Sequence, residues 1–219
     1  MPSLSLESTV LSPRIASILL SLALISGCSG PGSPSQTTSK GPANSGSTKV
    51  SLQSLRIADP RPMKDYTRDR FAHWNKAGSN CDVRDTVLER DGKNINKTGC
   101  NITGGEWFSV YDGQTLTDPL KVDIDHMVPL ANAWRSGADV WDDKKRSAFA
   151  NDLERPQLRA VSASSNRSKG DQDPSQWKPP SKDFWCQYAQ EWIAVKSFWE
   201  LTVTKDEKAA LTEMLGTCS

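Results

Sequence analysis

Histidine is scarce in this chain, and neither sign of charge is in excess. Its 219 residues include only two histidines, His73 and His126, so a zinc site built from several histidines is nearly excluded. Lysine and arginine number 27 against 26 for aspartate and glutamate, which gives a formal net charge of +1. Proteins that bind nucleic acid usually carry a basic excess, so this balance counts against such binding unless the cations form a local stripe.

The apolar run near the N-terminus is too short to span a membrane as a mature helix. It covers residues 15–25, follows Arg14, and is typical of an export signal. The run ends in Ile-Ser-Gly-Cys, a sequence typical of a bacterial lipobox in which Cys28 becomes the lipidated N-terminus. A plain secretory signal with a chance cysteine is the alternative. In either case we expect the chain to leave the cytoplasm, either anchored by lipid to the outer face of the cell membrane or secreted.

Composition divides the chain into three segments. Residues 1–27 are the predicted lipoprotein signal peptide. Residues 28–49 are rich in Ser, Gly and Pro and have almost no large apolar residue, which predicts a flexible tether. Residues 50–219 contain the eight tryptophans of the chain, and they predict one globular domain with a core of large aromatic side chains.

Four cysteines remain once Cys28 is set aside. An even number of cysteines in an exported chain predicts two disulfides, and four cysteines allow three pairings. We favour Cys81–Cys100 and Cys186–Cys218, because each pair closes a short local loop. A zinc site built from all four is the rival interpretation, but the sequence contains no pair of cysteines spaced C-x-x-C.

Hydrophobic periodicity predicts an α+β domain. Residues 120–125 alternate apolar and polar side chains, which predicts a strand, and residues 157–161 predict a second strand. A helix is predicted from residue 164 to 169, so the order strand, strand, helix occurs once, in the middle of the chain. The remainder is predicted to be mostly helical support. Further helices are predicted at residues 131–136, 144–151, 184–199 and 205–215, short helices or turns at 68–76 and 82–90, and a β-rich run at 107–111.

The densest functional pattern is Asp125-His126 followed by Pro129. Adjacent Asp and His side chains at a strand end point in different directions, so one can hold a metal while the other faces a water molecule. Proline fixes φ and makes the turn rigid. A second pattern, Asn-Arg-Ser-Lys-Gly, begins about 40 residues later at Asn166.

Together the two patterns resemble the HNH (His-Me finger) endonucleases. The resemblance is closest to exported proteins related to the C-terminal nuclease domain of GmrSD-type restriction enzymes. Residues 125–138, 149–153 and 166–180 carry it, and residues 71–74 and 81–88 upstream are also similar. It implies a ββα-metal core within residues 50–219 and hydrolysis of phosphodiester bonds in nucleic acid, with DNA favoured over RNA.

The resemblance also implies roles for individual residues. His126 matches the general base, and Asp125 and Asn166 match the ligands of one divalent cation. Oxygen ligands favour Mg²⁺ or Mn²⁺ over zinc. Arg167 and Lys169 are candidates for contacts with substrate phosphate.

One family position is altered. The family places an asparagine that orients the catalytic imidazole nine residues before the helix ligand, where this chain has Gln157. The amide of glutamine is chemically equivalent, and its spacing favours this position. Asn151 is the competing candidate.

Two further arginines are candidates for the substrate groove. Arg135 follows the histidine loop, and a surface position at a helix end is an equal alternative. Arg84 follows Cys81, and a structural salt bridge is the favoured alternative to a phosphate contact. His73, between Phe71 and Trp74, is interpreted as a structural residue.

The leading hypothesis is therefore an exported, metal-dependent endonuclease. The alternative is a non-catalytic lipoprotein of the cell envelope that binds a wall polymer or a protein partner, and such a protein would tolerate loss of His126. Another metal-dependent hydrolase that acts on a different phosphate ester is a third possibility.

Overall fold

The computed structural model describes residues 52–77 and 81–219. The predicted signal peptide, the tether and Cys28 lie outside the described residues. None of the described residues belongs to a helix long and apolar enough to cross a lipid bilayer.

Helices and short antiparallel sheets alternate along the chain, which confirms the predicted α+β class. The helices are α1 (Val83–Asp91), α2 (Leu130–Arg135), α3 (Asp143–Ala150), α4 (Ala163–Lys169), α5 (Trp185–Phe198) and α6 (Lys205–Leu215). The strands are β1 (Lys76–Ala77), β2 (Cys81–Asp82), β3 (Lys93–Thr98), β4 (Asn101–Phe108), β5 (Thr115–Leu116), β6 (Val122–His126) and β7 (Leu158–Ser162). They form the sheets β1–β2, β3–β4–β5 and β6–β7.

The predicted order strand, strand, helix in the middle of the chain corresponds to β6, β7 and α4. Strands β6 and β7 pair antiparallel, with Val122 opposite Ser162 and His126 opposite Leu158. The predicted strand at 120–125 starts two residues late, because a 3-10 turn occupies Pro119–Lys121 and the Asp118 side chain accepts a hydrogen bond from the backbone of Leu120 at 2.9 Å.

Two hydrophobic clusters hold the sheet β6–β7 in place. The smaller cluster lies between the sheet and α1, where Val87 and Leu88 pack with Trp107 and Ile124. The indole N–H of Trp107 donates to the backbone oxygen of Leu88 at 2.8 Å. The larger cluster contains Phe149 of α3 and Tyr188 and Trp192 of α5, and it continues into α6. The aromatic stripe of residues 184–199 is therefore core, as its helical spacing predicts.

The hairpin formed by β3 and β4 was not predicted. Its first strand, KNINKT, is exposed at five positions and half-buried at one, so it has no hydrophobic alternation to detect. The β-rich run at 107–111 is instead the end of β4 and the loop after it. Where a short helix or turn is predicted at residues 68–76, a 3-10 turn occupies Arg68–Arg70 and strand β1 begins at Lys76.

Both favoured disulfides are present. Cys81–Cys100 connects β2 to the turn of the hairpin β3–β4. Cys186–Cys218 connects the first turn of α5 to the segment after α6. The predicted pairing is confirmed.

Candidate active site

Asp125 and His126 end strand β6 and are almost completely buried, with exposed fractions of 4% and 5%. Beyond the strand, the backbone N–H of Met127 donates to the oxygen of Gln157 at 2.7 Å. Pro129, with φ of −57°, then leads into α2. The two side chains are therefore fixed between a paired strand and a rigid turn.

The Asp125 carboxylate is held by two buried donors. The hydroxyl of Tyr111 and the ammonium of Lys169 each donate to its Oδ2 at 2.5 Å. Both donors are fully buried. Burial raises the pKa of Tyr111 well above its usual value, so the phenol keeps the proton that it donates. With Oδ2 occupied in this way, Oδ1 is the carboxylate oxygen that remains for another partner.

Lys169 lies beneath the turn that follows β6 and does not line the cavity described below. Its ammonium also donates to the backbone oxygens of His126 at 2.9 Å and Met127 at 3.0 Å, so its three N–H bonds are used. Burial lowers the pKa of Lys169, while the Asp125 carboxylate opposes that shift. This position supports a role in fixing the turn, not the contact with substrate phosphate expected from the sequence.

The His126 imidazole contacts a backbone carbonyl. Its Nε2 lies 2.9 Å from the oxygen of Ala150, at the end of α3. A carbonyl oxygen only accepts, so Nε2 carries the hydrogen and Nδ1 keeps the free electron pair. Burial lowers the pKa of His126 to about 3, the hydrogen bond to Ala150 opposes the shift, and the positive charge of Arg68 adds to it. The ring is therefore neutral at physiological pH and can accept a proton at Nδ1.

Asn166 projects from the middle of α4. Its Nδ2 donates to Asp123 Oδ2 at 3.1 Å, which leaves its amide oxygen as the free acceptor. The helix is fixed at its start, where Ser162 caps the N-terminus and Asp112 accepts hydrogen bonds from Ser162 and, at 2.8 Å, from Ser165.

One cavity of about 290 Å³ brings the predicted chemical groups together. Asp125, His126 and Asn166 all line it, with Arg167 beside them. A carboxylate and an amide oxygen are the ligand types that Mg²⁺ and Mn²⁺ prefer, and Mg²⁺ commonly keeps several waters beside one or two protein ligands. The donor set therefore fits a hard divalent cation. Within residues 52–77 and 81–219, no group of three or more His, Cys, Asp or Glu side chains is arranged to hold a metal.

The two candidates for orienting His126 lie elsewhere. Gln157 is fully buried, and its amide exchanges two hydrogen bonds with the backbone of Val128, at 2.9 and 3.1 Å. It thus fixes the turn that follows His126. The Asn151 amide bonds to the backbone of Ala72 at 2.8 Å and of Asn75 at 3.0 Å. The group that hydrogen-bonds the ring is the Ala150 carbonyl. The rings of Trp74 and His73 pack beside it, with centroid distances of 5.6 and 6.4 Å.

The candidate substrate arginines differ in position. Arg167 is exposed at the cavity, and its Nε lies 3.6 Å from Asp123 Oδ2. Arg135 is paired with Asp171 at 2.9 Å, and Asp171 also lines the cavity. Arg84 contacts the backbone oxygens of Pro119 at 3.5 Å and Val122 at 3.3 Å, behind strand β6.

Sequence reasoning missed several groups around the site. Asp123 supports Asn166, and its place two residues before Asp125 on one strand was a detectable signal. Tyr111 lies 14 residues from Asp125 in sequence and carried no signal. The Ala150 carbonyl is a backbone group that no side-chain pattern reveals.

Comparison with known proteins found one matching family model and a similar secreted protein. The family model of the GmrSD restriction endonuclease C-terminal domain matches residues 65–214. An uncharacterized secreted protein of Arthroderma benhamiae is 52% identical over 176 residues, which cover 80% of this chain and 86% of that protein. No solved structure matches the chain. On this match, which covers every residue that lines the cavity, the chain belongs to the family of GmrSD restriction endonuclease C-terminal domains.

Proposed function

We propose that the chain is a metal-dependent endonuclease that hydrolyses phosphodiester bonds in nucleic acid, with DNA as the favoured substrate. One observation carries the proposal. A neutral imidazole, fixed in one tautomer by the Ala150 carbonyl, lines the same cavity as the oxygen donors of Asp125 and Asn166. Membership of a nuclease-related family supports it.

His126 acts as the general base in this proposal. Its Nδ1 accepts a proton from the attacking water, while the Nε2 hydrogen bond to Ala150 keeps the ring from rotating and stabilises the imidazolium that forms. Because the resting pKa is about 3, the base is unprotonated at any neutral pH.

Asp125 and Asn166 would hold one Mg²⁺ or Mn²⁺ through their free oxygens. When bound, the cation supplies Lewis-acid stabilisation of the negative charge that develops on the phosphate and on the leaving oxygen. Tyr111 and Lys169 keep Asp125 in place for that role. Arg167, at the edge of the cavity, is available to contact substrate.

We also propose that the chain is exported. The similar protein of Arthroderma benhamiae is described as secreted, and the N-terminal run of this sequence predicts an export signal. A lipid anchor on Cys28 stays a prediction. Mass spectrometry of the mature N-terminus separates a lipidated Cys28 from a plain cleavage product.

Plasmid cleavage by the purified, disulfide-bonded protein tests the proposed activity. Cleavage is measured with Mg²⁺, with Mn²⁺ and with EDTA, beside His126→Ala and the matched control His73→Ala. We expect EDTA to abolish cleavage and His126→Ala to lower the rate about 10²- to 10⁴-fold, as loss of a general base does. The His73 variant should lose far less. Intact DNA and RNA across pH 6–9, or full activity in His126→Ala, would contradict the proposal.

The metal ligands are tested by binding as well as by activity. Asn166→Ala should raise the Mn²⁺ concentration needed for half-maximal cleavage and weaken Mn²⁺ binding in calorimetry. Ser164→Ala, an exposed position on the same helix, is the control. Equal Mn²⁺ affinity in the two variants would remove Asn166 from the ligand set.

A further inference from the structure

Two polar residues that line the cavity, Tyr66 and Arg68, have no role so far. Both line it together with Asp125, His126 and Asn166. Thr67 between them is extended, with φ of −137° and ψ of 153°. In extended chain, side chains two residues apart point to the same side. The phenol and the guanidinium therefore face one region of the cavity.

Tyr66 is a fixed residue with an available hydroxyl. Its ring packs against Phe71 and Trp134, with centroid distances of 6.4 and 5.7 Å, at the edge of the larger hydrophobic cluster. Its hydroxyl makes no hydrogen bond to any residue within 52–77 and 81–219. A half-buried phenol of this kind is a ready donor to a ligand oxygen.

Arg68 differs from the neighbouring arginines in having no carboxylate partner among the described residues. Arg70, on the same 3-10 turn, lies 3.8 Å from Asp143. Arg135 is paired at 2.9 Å and Arg167 lies 3.6 Å from a carboxylate. A guanidinium carries five donors in a planar fork that matches a phosphate, so an unpaired one at a cavity favours a phosphate ligand.

The acidic groups at the cavity do not cancel this charge. Asp171 is engaged by Arg135 through both its carboxylate and its backbone oxygen, at 2.9 and 2.6 Å. Asp125 is engaged by Lys169 and Tyr111 on the opposite, buried side. Among the described residues that line the cavity, Arg68 is therefore a cation whose donors remain available to a ligand.

We propose that the Arg68 guanidinium and the Tyr66 hydroxyl form the substrate-phosphate subsite of the cavity, holding a backbone phosphate of the nucleic acid against the base and the metal ligands. The inference rests on the proposed nuclease function and adds the residues that hold the substrate. Neither residue belongs to the strand, strand, helix unit that carries the chemistry, so substrate binding and catalysis would come from separate segments of the chain.

The test compares Arg68→Ala with Arg70→Ala, two substitutions on one turn that remove the same charge. Binding of a fluorescein-labelled oligonucleotide is followed by anisotropy in EDTA, over a series of salt concentrations. We expect Arg68→Ala to weaken binding about 10- to 100-fold, the range of a charge-assisted hydrogen bond to phosphate. For this variant, the slope of the logarithm of the binding constant against the logarithm of the salt concentration should be smaller in magnitude, by the amount that corresponds to about one phosphate contact. Arg70→Ala should match the wild type in both respects.

Three further measurements separate binding from folding. Melting temperatures check that each variant folds, which we expect because Arg68 is exposed. Arg68→Lys should recover part of the affinity, since it restores charge without the fork. Tyr66→Phe should weaken binding less than Arg68→Ala and leave the salt slope unchanged, because it removes a neutral donor.

The outcomes distinguish this inference from the nuclease proposal. Equal binding by wild type and Arg68→Ala, or equal loss in Arg70→Ala, would overturn the subsite. If the wild type neither cleaves nor binds oligonucleotides, the nuclease proposal fails. In that case, titration with inorganic phosphate, followed by NMR, tests the phosphate subsite independently of nuclease activity. Arg68-dependent shifts would support a phosphate subsite in a different enzyme, and no shifts would overturn it.

Discussion

Lys169 shows how one residue can look different in sequence and in structure. A lysine after Asn166 in a short basic stretch suggests a surface cation, yet its side chain is fully buried and its ammonium bonds to Asp125, His126 and Met127. Its neighbour Arg167 is 74% exposed. The two cations lie on opposite sides of the last turn of α4. Lys169 supports the turn after β6, and Arg167 faces solvent.

Replacing Lys169 should therefore affect stability first. Lys169→Met leaves the Asp125 carboxylate buried without its ionic partner, which typically costs about 3–5 kcal/mol. Arg167→Met is the matched control and should change the free energy of unfolding by less than about 0.5 kcal/mol. Urea denaturation measures both. If Lys169→Met lost little free energy of unfolding but much substrate affinity, the result would support the contact with substrate phosphate that the sequence suggested.

The buried His126 makes stability depend on pH. Its pKa falls from 6.5 to about 3 on folding, so the unfolded chain binds more protons between these values. The free energy of unfolding should thus decrease as pH falls from 6.5 towards 3. Relative to a His126→Gln variant, which cannot titrate, the wild type should lose up to about 1.4 kcal/mol per pH unit in this window. Urea titrations in EDTA at several pH values measure the difference, and a constant difference would contradict burial of the neutral ring.

At the scale of the elements, α4 depends on a partner outside the strand–strand–helix unit. Asp112 lies in the loop after β4 and accepts hydrogen bonds from Ser162 and Ser165 at the start of the helix. Partial burial tends to raise the pKa of Asp112, but hydrogen bonds from Ser162 and Ser165 outweigh it and lower the pKa. The helix that carries Asn166 is therefore held by an ionised carboxylate.

Asp112→Asn should destabilise the protein in a pH-dependent way. Because its folded pKa lies below 3.8, the carboxylate contributes stability that is present above pH 3.8 and is lost as pH falls through the folded value. We expect a loss of about 0.5–2 kcal/mol at pH 7, the range of a helix cap. The loss should be smaller at pH 3 than at pH 7, because the stability that the carboxylate contributes falls as pH drops below 3.8. Asp183→Asn, an exposed position, is the control in thermal melts at both pH values.

The sequence predicted elements that have a strong apolar pattern or a turn signal. Strand β6 was found because its apolar residues Val122 and Ile124 alternate with polar ones, and the aromatic helix α5 was found because its apolar residues recur at helical spacing. The hairpin β3–β4 was missed because it is polar and is fixed by pairing and by the Cys81–Cys100 disulfide. The cavity brings together Asp125, His126 and Asn166, as expected from the sequence. The sequence did not reveal Tyr111 and the Ala150 carbonyl, because tertiary packing brings these two groups to the site.

At the scale of the whole molecule, the two disulfides act on different parts of the fold. Cys186–Cys218 spans 32 residues and connects α5 to the end of α6, and Cys81–Cys100 spans 19 residues beside a polar hairpin. The residues of α5 and α6 contribute to the larger core, which includes Trp192 and Leu211. Loss of the Cys186–Cys218 bridge should therefore destabilise the larger core, which supports α2 and α3.

Removing Cys186–Cys218 should lower the free energy of unfolding by about 3–4 kcal/mol, following the loop-length dependence of chain entropy. The double variant Cys186→Ala/Cys218→Ala is compared with Cys81→Ala/Cys100→Ala by urea denaturation. Hydrogen exchange should then show α6 opening before the sheet β6–β7. Simultaneous exchange of both elements would indicate that the bridge does not hold α6 locally.

The bonds around Asp125 and His126 determine how the site would bind the proposed cation. Lys169, Tyr111 and the Ala150 carbonyl fix both side chains within the folded chain itself. Such a site is preorganised, so most of the conformational entropy of ordering the ligands is lost during folding and not on binding. Cation uptake should accordingly leave the backbone almost unchanged and follow simple, fast, one-step kinetics.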